Sequence, residues 1–124
     1  MSRSSAGRLA EAGGRAAEHL VAARLIAAGW TILGARVRTK AGEIDLIATL
    51  NGLLLLAEVK SRADHEQAGY ALHPRQRRRL LEAATWLIGE NPTWGSNGVR
   101  FDVFLVDRAG QIDQIEDAIR DDGV

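Results

Sequence analysis

The chain of 124 residues contains no cysteine, and this absence excludes several classes of protein. Without thiols there is no disulfide framework, no thiolate metal site and no cysteine nucleophile. No apolar run approaches the roughly 20 residues that a membrane-spanning helix needs. The first five residues also lack the apolar segment of a secretory signal, so we expect a cytoplasmic protein without a membrane partner.

Internal repeats and low-complexity segments are absent too, and the length suits one domain with a single core. We therefore expect residues 1–124 to form one domain. Within it, residues 1–13 are expected to be flexible. Residues 113–124 form an acidic tail that we expect to be a short helix or a frayed end.

The zero net charge conceals a polarity between the two parts of the chain. Residues 1–79 carry 13 Lys and Arg against 7 Asp and Glu, whereas residues 80–124 carry 3 against 9. Such asymmetry indicates contact with nucleic acid or a membrane surface on the basic side. The alternative is that folding interleaves the two parts and the field cancels.

An Asn51-Gly52 pair separates two apolar runs and predicts a β-hairpin, because both central residues of a type I′ turn need positive φ. Counting outward from this turn places residue 50 opposite residue 53. Asp45 then lies opposite Glu58, and Glu43 lies opposite Lys60. Since side chains alternate along a strand, all four charged groups should share one face of the sheet.

Two carboxylates that face each other across a ladder repel. At roughly 5 Å and an effective dielectric of about 20, the cost is on the order of 3 kcal/mol. A bound divalent cation would turn that penalty into a binding site. The apolar run 53–57 predicts a covered central strand that shelters the site. The alternative is an ion network in which Lys60 neutralises Glu43 and Glu58, with Asp45 solvated.

The remaining periodicity predicts a helix over Gly14–Ala28, with Glu18 at the edge of its apolar stripe. A strand follows over Trp30–Val37. A second helix begins at Pro74 or Arg75, and Val99–Val106 alternates as a strand. The predicted order is therefore α-β-β-β-α-β, and residues 61–74 form a loop.

The chemistry indicated by Asp45, Glu58 and Lys60 is metal-assisted hydrolysis. Mg²⁺ prefers oxygen ligands and uses one or two carboxylates together with waters and substrate phosphate. A metal-bound water near the Lys60 ammonium is a plausible nucleophile for a phosphodiester, since the metal lowers the pKa of the water.

These segments carry a resemblance. The helix with Glu18 and the segments 42–47, 58–62 and 100–103 resemble the YraN family of small bacterial proteins. That family is similar to the PD-(D/E)xK nuclease superfamily, which is related to Holliday-junction resolvases. The resemblance extends over residues 14–106. It implies an α/β fold with a restriction-endonuclease-like αβββαβ core, in which helices flank a central mixed sheet.

The resemblance also implies roles for individual residues. Asp45 and Glu58, with the carbonyl of Val59, would bind Mg²⁺ or Mn²⁺. Lys60 would position the attacking water and stabilise developing charge. Glu18 would complete the catalytic set through a water or a second metal ion.

Three further positions refine this assignment. Glu43 would support the ligands from behind or pair with Lys60. Arg36 stands where the family often has Asn, and Gln76 stands where a Lys often begins the second helix. Both departures leave the catalytic set intact.

Basic side chains are predicted to contact nucleic acid. Four arginines near the start of the second helix oppose its dipole, which is easier to understand if phosphates lie nearby. The alternative is a solvated charged face. The predicted nucleic-acid-binding residues are Arg36, Arg38, Lys40, Arg62, Arg75, Arg77, Arg78 and Arg79.

The leading hypothesis is a metal-dependent endonuclease acting on DNA, branched or structured molecules included. No separate reading module is evident, so shape recognition or delivery by a protein partner is expected. A resolvase-like enzyme would be expected to form a homodimer. The alternatives are a non-catalytic nucleic-acid-binding module of the same fold and a structural or protein-interaction domain with an ion network.

Overall fold

The computed structural model describes residues 5–61 and 72–119, with the side chains of the first helix described from Gly14 onward. The predicted element order is confirmed, and a further strand follows it. Arg62 and most of the predicted loop lie outside the described residues. In chain order the elements are α1 (Ser5–Ala27), β1 (Thr31–Thr39), β2 (Gly42–Leu50), β3 (Leu53–Ser61), α2 (Pro74–Glu90), β4 (Val99–Val106) and β5 (Ile112–Ile115).

The five strands form one sheet in the order β1-β2-β3-β4-β5. Among the described strands only β3 and β4 are parallel, and α2 lies in the crossover that parallel neighbours require. The sheet is therefore mixed and lies between the two described helices, which confirms the predicted α/β class with its αβββαβ order. Neither described helix is long and apolar enough to cross a membrane.

The core has two parts, one on each face of the sheet, and β3 divides its side chains between them. Leu54 and Leu56 pack in the cluster that contains the buried residues of α2. Leu55 and Ala57 pack in the cluster that contains those of α1. All four are at most 1% exposed, so the unbroken apolar run reflects a strand buried on both faces.

The turn between β2 and β3 has the predicted type I′ character. Asn51 and Gly52 have φ of 51° and 82°, and Leu50 pairs with Leu53. The loop before β4 is hydrogen-bonded to this turn, since the backbone N–H of Asn97 donates to the Gly52 carbonyl at 3.0 Å. The side-chain amide of Asn97 donates to the Asn51 carbonyl.

The second helix begins at Pro74, as predicted, and its start is capped by side chains. The imidazole Nδ1 of His73 accepts from the Arg75 N–H at 3.2 Å. Gln76 closes a capping box, since its side-chain oxygen accepts from the His73 N–H at 3.0 Å. Gln76 therefore has a structural role at the helix start.

Two predictions about the ends of the chain need correction. The first helix begins at Ser5 rather than Gly14, so residues 5–13 are helical instead of flexible. Residues 112–115, expected in part as a short helix or frayed tail, form β5 and pair with β4. Ile112 and Ile115 pack against opposite core clusters, and this burial on both faces stabilises the strand.

The hairpin turn provides a stability test at Gly52. An added Cβ would lie 2.6 Å from Asn97 Nδ2, and the residue has positive φ. We expect Gly52→Ala to lower the free energy of unfolding by about 1–3 kcal/mol in urea denaturation. Gly89→Ala is the control, because an added Cβ there meets nothing within 4 Å. It should raise the same quantity by up to about 1 kcal/mol, and equal losses of stability for both variants would contradict this role of the turn.

Candidate active site

The two central antiparallel strands separate where the charged residues begin. The ladder between β2 and β3 runs from Leu50–Leu53 to Leu46–Ala57 and ends there. Beyond this point β2 still pairs with β1, and β3 still pairs with β4. The predicted ladder pairings of Asp45 with Glu58 and of Glu43 with Lys60 are therefore both wrong. A notch opens between the two strands instead.

Asp45 occupies this notch. The Val59 N–H donates to Asp45 Oδ2 at 2.8 Å, so the carboxylate takes the place of a backbone partner. Its neighbours Ile44 and Leu46 pack on opposite faces of the sheet. The strand must therefore rotate at Asp45, which turns this side chain sideways into the gap. The expectation that it shares one face with the other charged groups is corrected accordingly.

Glu58 and Lys60 lie on the α2 face of β3. Glu58 is 5% exposed, and its Oε2 lies 3.9 Å from the Lys60 Nζ. The Lys60 side chain remains one-third exposed, so its ammonium reaches solvent beside a buried carboxylate. Glu43 is exposed, and its backbone carbonyl rather than its side chain takes part in the site.

Arg79 joins α2 to this cluster. Its Nη2 donates to Glu58 Oε1 at 2.9 Å, and its Nη1 donates to the Glu43 carbonyl at 2.8 Å. The side chain passes over Gly42, where an added Cβ would lie 3.0 Å from Arg79 Cδ. The sequence grouped Arg79 with the phosphate-binding arginines and gave no sign of this ion pair, because no local pattern relates a helix residue to a distant strand.

Glu18 approaches from the opposite face on α1. The Arg36 Nε donates to its Oε1 at 2.9 Å, and the Glu18 side chain is only 15% exposed. Arg36 has φ of 51°, a left-handed conformation that Asn tolerates better than most residues. Arg36 adopts this left-handed conformation while its side chain forms the ion pair with Glu18.

Electrostatics single out Asp45 among these groups. Burial raises the pKa of Asp45 from 3.8 to about 6, and the Glu58 and Glu18 carboxylates also act to raise it. The Val59 hydrogen bond and the Lys60 ammonium act in the opposite direction. The neighbouring carboxylates thus oppose the ionisation of Asp45, as predicted. Of the alternative ion network, a cationic side chain beside Glu58 is present, whereas Asp45 is half-buried rather than solvated.

The donor chemistry suits a hard cation. Asp45 and Glu58 offer carboxylate oxygens, and the Asp45 bond to Val59 brings that residue's peptide to the notch. Across the described residues no three His, Asp or Glu side chains form a ready cage for a metal. Mg²⁺ needs no such cage, since it commonly takes one or two carboxylates and keeps several waters. The residues present therefore fit an ion of this kind.

The predicted nucleic-acid-binding residues form two neighbouring segments. Arg38 and Lys40 lie at the β1–β2 turn, which faces α2 across a depression lined by Ala41, Glu82 and Trp86. The other segment is the start of α2, where Arg75, Arg77 and Arg78 lie in the first two turns of the helix. Arg36 and Arg79 are held by carboxylates instead.

Asp102, from the fourth segment of the resemblance, lies in a separate buried network. It is 1% exposed and binds Arg100 through both carboxylate oxygens, at 2.9 and 2.8 Å. Gln114 and the Asp117 N–H also donate to it. The hydrogen bonding with Asp102 raises the pKa of Arg100. The network fastens β5 and the turn after it to β4.

The notch provides a pH-dependent stability test. Because the pKa of Asp45 is higher in the folded protein, its ionisation destabilises the fold above pH 6, and this penalty disappears as the pH falls towards 4. Asp45→Asn should therefore unfold at higher temperature than the wild type at pH 7 in EDTA. After allowance for the partial exposure of Asp45, we expect the substitution to raise the free energy of unfolding at pH 7 by about 1–2 kcal/mol.

Thermal melting across pH 4–7 tests this expectation. Glu82→Gln, which removes an exposed carboxylate on α2, is the control and should show no comparable gain. If Asp45→Asn is no more stable than the wild type at pH 7, ionisation of Asp45 does not destabilise the fold.

Comparison with known proteins identifies relatives of this chain. Residues 17–106 match the family described as "Uncharacterised protein family UPF0102". A UPF0102 protein of Granulibacter bethesdensis is 51% identical over 107 residues, which cover 86% of this chain and 68% of the relative. A UPF0102 protein of Acidiphilium cryptum is 42% identical over 120 residues, which cover 97% and 93%.

Among solved structures, the chain is similar to Pyrococcus furiosus SfsA in complex with Ca²⁺, with a TM-score of 0.36 and 12% identity. That similarity covers 86% of this chain and 63% of SfsA. The sequence matches confirm the resemblance to the YraN family, and the chain belongs to UPF0102.

Proposed function

We propose that this protein is a metal-dependent endonuclease that hydrolyses phosphodiester bonds in DNA, branched or structured DNA included. The observation that carries this proposal is the Asp45 carboxylate in the notch, beside Glu58 and Glu18, with its pKa raised to about 6. A carboxylate whose ionisation opposes folding at neutral pH is typical of functional sites, where stability is given up for chemistry.

The cation would be held by Asp45, Glu58 and the Val59 carbonyl. When bound, Mg²⁺ or Mn²⁺ supplies a water of lowered pKa and positive charge beside the phosphate. Since its pKa is about 6, Asp45 is ionised at neutral pH and can act as an oxygen donor. The hydrogen bond from the Val59 N–H fixes the orientation of this carboxylate before any ligand arrives.

Lys60 performs the positioning step. Its ammonium has three donors, lies 3.9 Å from Glu58 Oε2 and is one-third exposed. It can donate to the attacking water and to a non-bridging phosphate oxygen at the same time. As negative charge grows on that oxygen, a fixed ammonium in a sheltered site stabilises the transition state more than the ground state.

The surface beside the site supports contact with a polyanion. The β1–β2 turn carries Arg38 and Lys40, and the first turns of α2 carry Arg75, Arg77 and Arg78. Gly42 and Arg79 touch where these two segments meet. Contacts of this kind bind phosphates without reading bases, which suits recognition by shape.

The second candidate is a nucleic-acid-binding module that does not cut. The observation in its favour is that arginines already neutralise two of the carboxylates, Glu58 and Glu18. An ion network of this type needs no metal to be stable. Cleavage assays on variants of Lys60 and Lys40 separate this candidate from the first.

Lys60→Ala should reduce cleavage of plasmid and four-way-junction DNA in Mn²⁺ by about 100-fold or more, because it removes a donor that acts on the transition state. Folding should be largely retained, since Arg79 still neutralises Glu58. Lys40→Ala is the matched control and should weaken DNA binding while cleavage at saturating protein persists. Metal-dependent cutting by Lys60→Ala at the wild-type rate would place the active site elsewhere.

Neutralising Arg75, Arg77 and Arg78 together should weaken DNA binding to a similar extent for unrelated sequences. The slope of log affinity against log salt should become shallower by up to about 0.9 for each phosphate that these side chains no longer neutralise. Binding measured at several salt concentrations gives this slope. Arg24→Gln, near the far end of α1, is the control for loss of charge. An unchanged slope in the triple variant would show that α2 does not face the DNA.

A further inference from the structure

Arginines hold two of the three site carboxylates. Arg79 holds Glu58 and Arg36 holds Glu18, each at 2.9 Å, whereas Asp45 is held by a backbone N–H. The Glu58 side chain is only 7% exposed, so its charge requires a close partner. Lys60 stands 3.9 Å away, beyond hydrogen-bonding distance, which makes Arg79 the main counter-ion of Glu58.

The position of Arg79 conflicts with the binding of a cation. Its guanidinium occupies Glu58 Oε1, and a divalent cation would require the same carboxylate. Two cationic groups on one buried carboxylate repel each other at short range. A cation that takes both carboxylate oxygens of Glu58 therefore requires the guanidinium to leave Oε1.

Arg79 is attached in a way that permits such a movement. Its Nη1 donates to the Glu43 carbonyl, a bond that does not involve Glu58. Its aliphatic part runs over Gly42, whose lack of a side chain lets the arginine lie this close to the strand. The side chain is also 31% exposed, so a guanidinium that turns away from Glu58 reaches the surface beside the other α2 arginines.

We propose that Arg79 is the resident counter-ion of Glu58 and exchanges with the catalytic cation. Before the cation binds, the guanidinium neutralises Glu58. When the cation binds, Arg79 releases Oε1 and presents its guanidinium to a phosphate of the nucleic acid. This proposal rests on the proposed function for the identity of the cation and the substrate. It makes cation binding and phosphate binding favour each other.

The test measures Mn²⁺ affinity by calorimetry for the wild type and for Arg79→Met. Removal of the competing charge should tighten Mn²⁺ binding about tenfold and lower the melting temperature of the metal-free protein. Arg78→Met is the matched control, because it removes the same charge from the neighbouring exposed position on α2. It should change neither quantity appreciably.

DNA binding gives a second readout. In EDTA, Arg79 is engaged with Glu58, so Arg79→Met should leave the salt slope of DNA binding unchanged. With Ca²⁺ as the probe ion, the slope of the same variant should be shallower than that of the wild type by about 0.9, the value for one phosphate. Equal slopes for the two proteins in Ca²⁺ would overturn the exchange.

Should Arg79→Met fail to fold without metal, Arg79→Lys provides the measurement. The Arg79→Lys variant keeps the charge but lacks the planar guanidinium that bridges Glu43 and Glu58. The affinity of this variant for Mn²⁺ should therefore be higher than that of the wild type. Mn²⁺ binding that is unchanged or weaker in the folded Arg79 variant overturns the counter-ion role.

Asp45→Asn and Glu58→Gln distinguish this failure from a failure of the proposed function. If the wild type binds Mn²⁺ and these two variants do not, the cation site is at the notch and the Arg79 result stands by itself. If they bind Mn²⁺ as the wild type does, the metal site is elsewhere and both proposals fall.

Discussion

The separation of β2 from β3 beyond Leu46 and Ala57 is the constraint on which the rest of the site depends. Where an antiparallel ladder stops inside a protein, each freed backbone N–H needs another acceptor. Asp45 supplies one for Val59, at 2.8 Å. The same bond satisfies the backbone and seats a carboxylate between the strands. Any residue without a short acceptor side chain would leave the Val59 N–H without this partner.

The notch is also the place where side chains from the two faces of the sheet come together. Elsewhere the sheet separates α1 from α2, and the core is split into two clusters. At the notch, Glu18 from α1 and Glu58 from the α2 face both act on Asp45. A site assembled from both faces can surround a ligand more completely than one built on a single face. The consequence is that the Glu58 and Glu18 carboxylates both act to raise the pKa of Asp45.

The sequence predicted much of this arrangement because its strongest signals are local. Asn51-Gly52 determined the hairpin register, and that register brought Asp45, Glu58 and Lys60 to one end of two central strands. Two features could not be predicted in this way. The end of the ladder depends on how strongly neighbouring strands twist apart, and the ion pair of Arg79 with Glu58 depends on where α2 docks.

The elements at the two ends that the sequence did not predict have a similar explanation. Residues before Gly14 carry a weaker apolar stripe, yet α1 begins at Ser5. The strand β5 has only four residues and lies in an acidic stretch, where composition favoured a tail. Its stability comes from pairing with β4 and from Ile112 and Ile115 in the two core clusters. Short edge strands of this kind are specified by tertiary contacts rather than by local periodicity.

Under the proposed function, the distribution of counter-ions around the notch leaves one carboxylate for an external cation. Glu58, the most buried of the three carboxylates, has an arginine partner, which a network that served stability alone would also provide. Here Glu58 and Glu18 each receive an arginine, while Asp45, which lies between them, receives only a peptide N–H and the more distant Lys60. The unbalanced charge is therefore concentrated at the centre, beside a second carboxylate. A small divalent cation at that point would offset the burial and the neighbouring carboxylates that raise the pKa of Asp45.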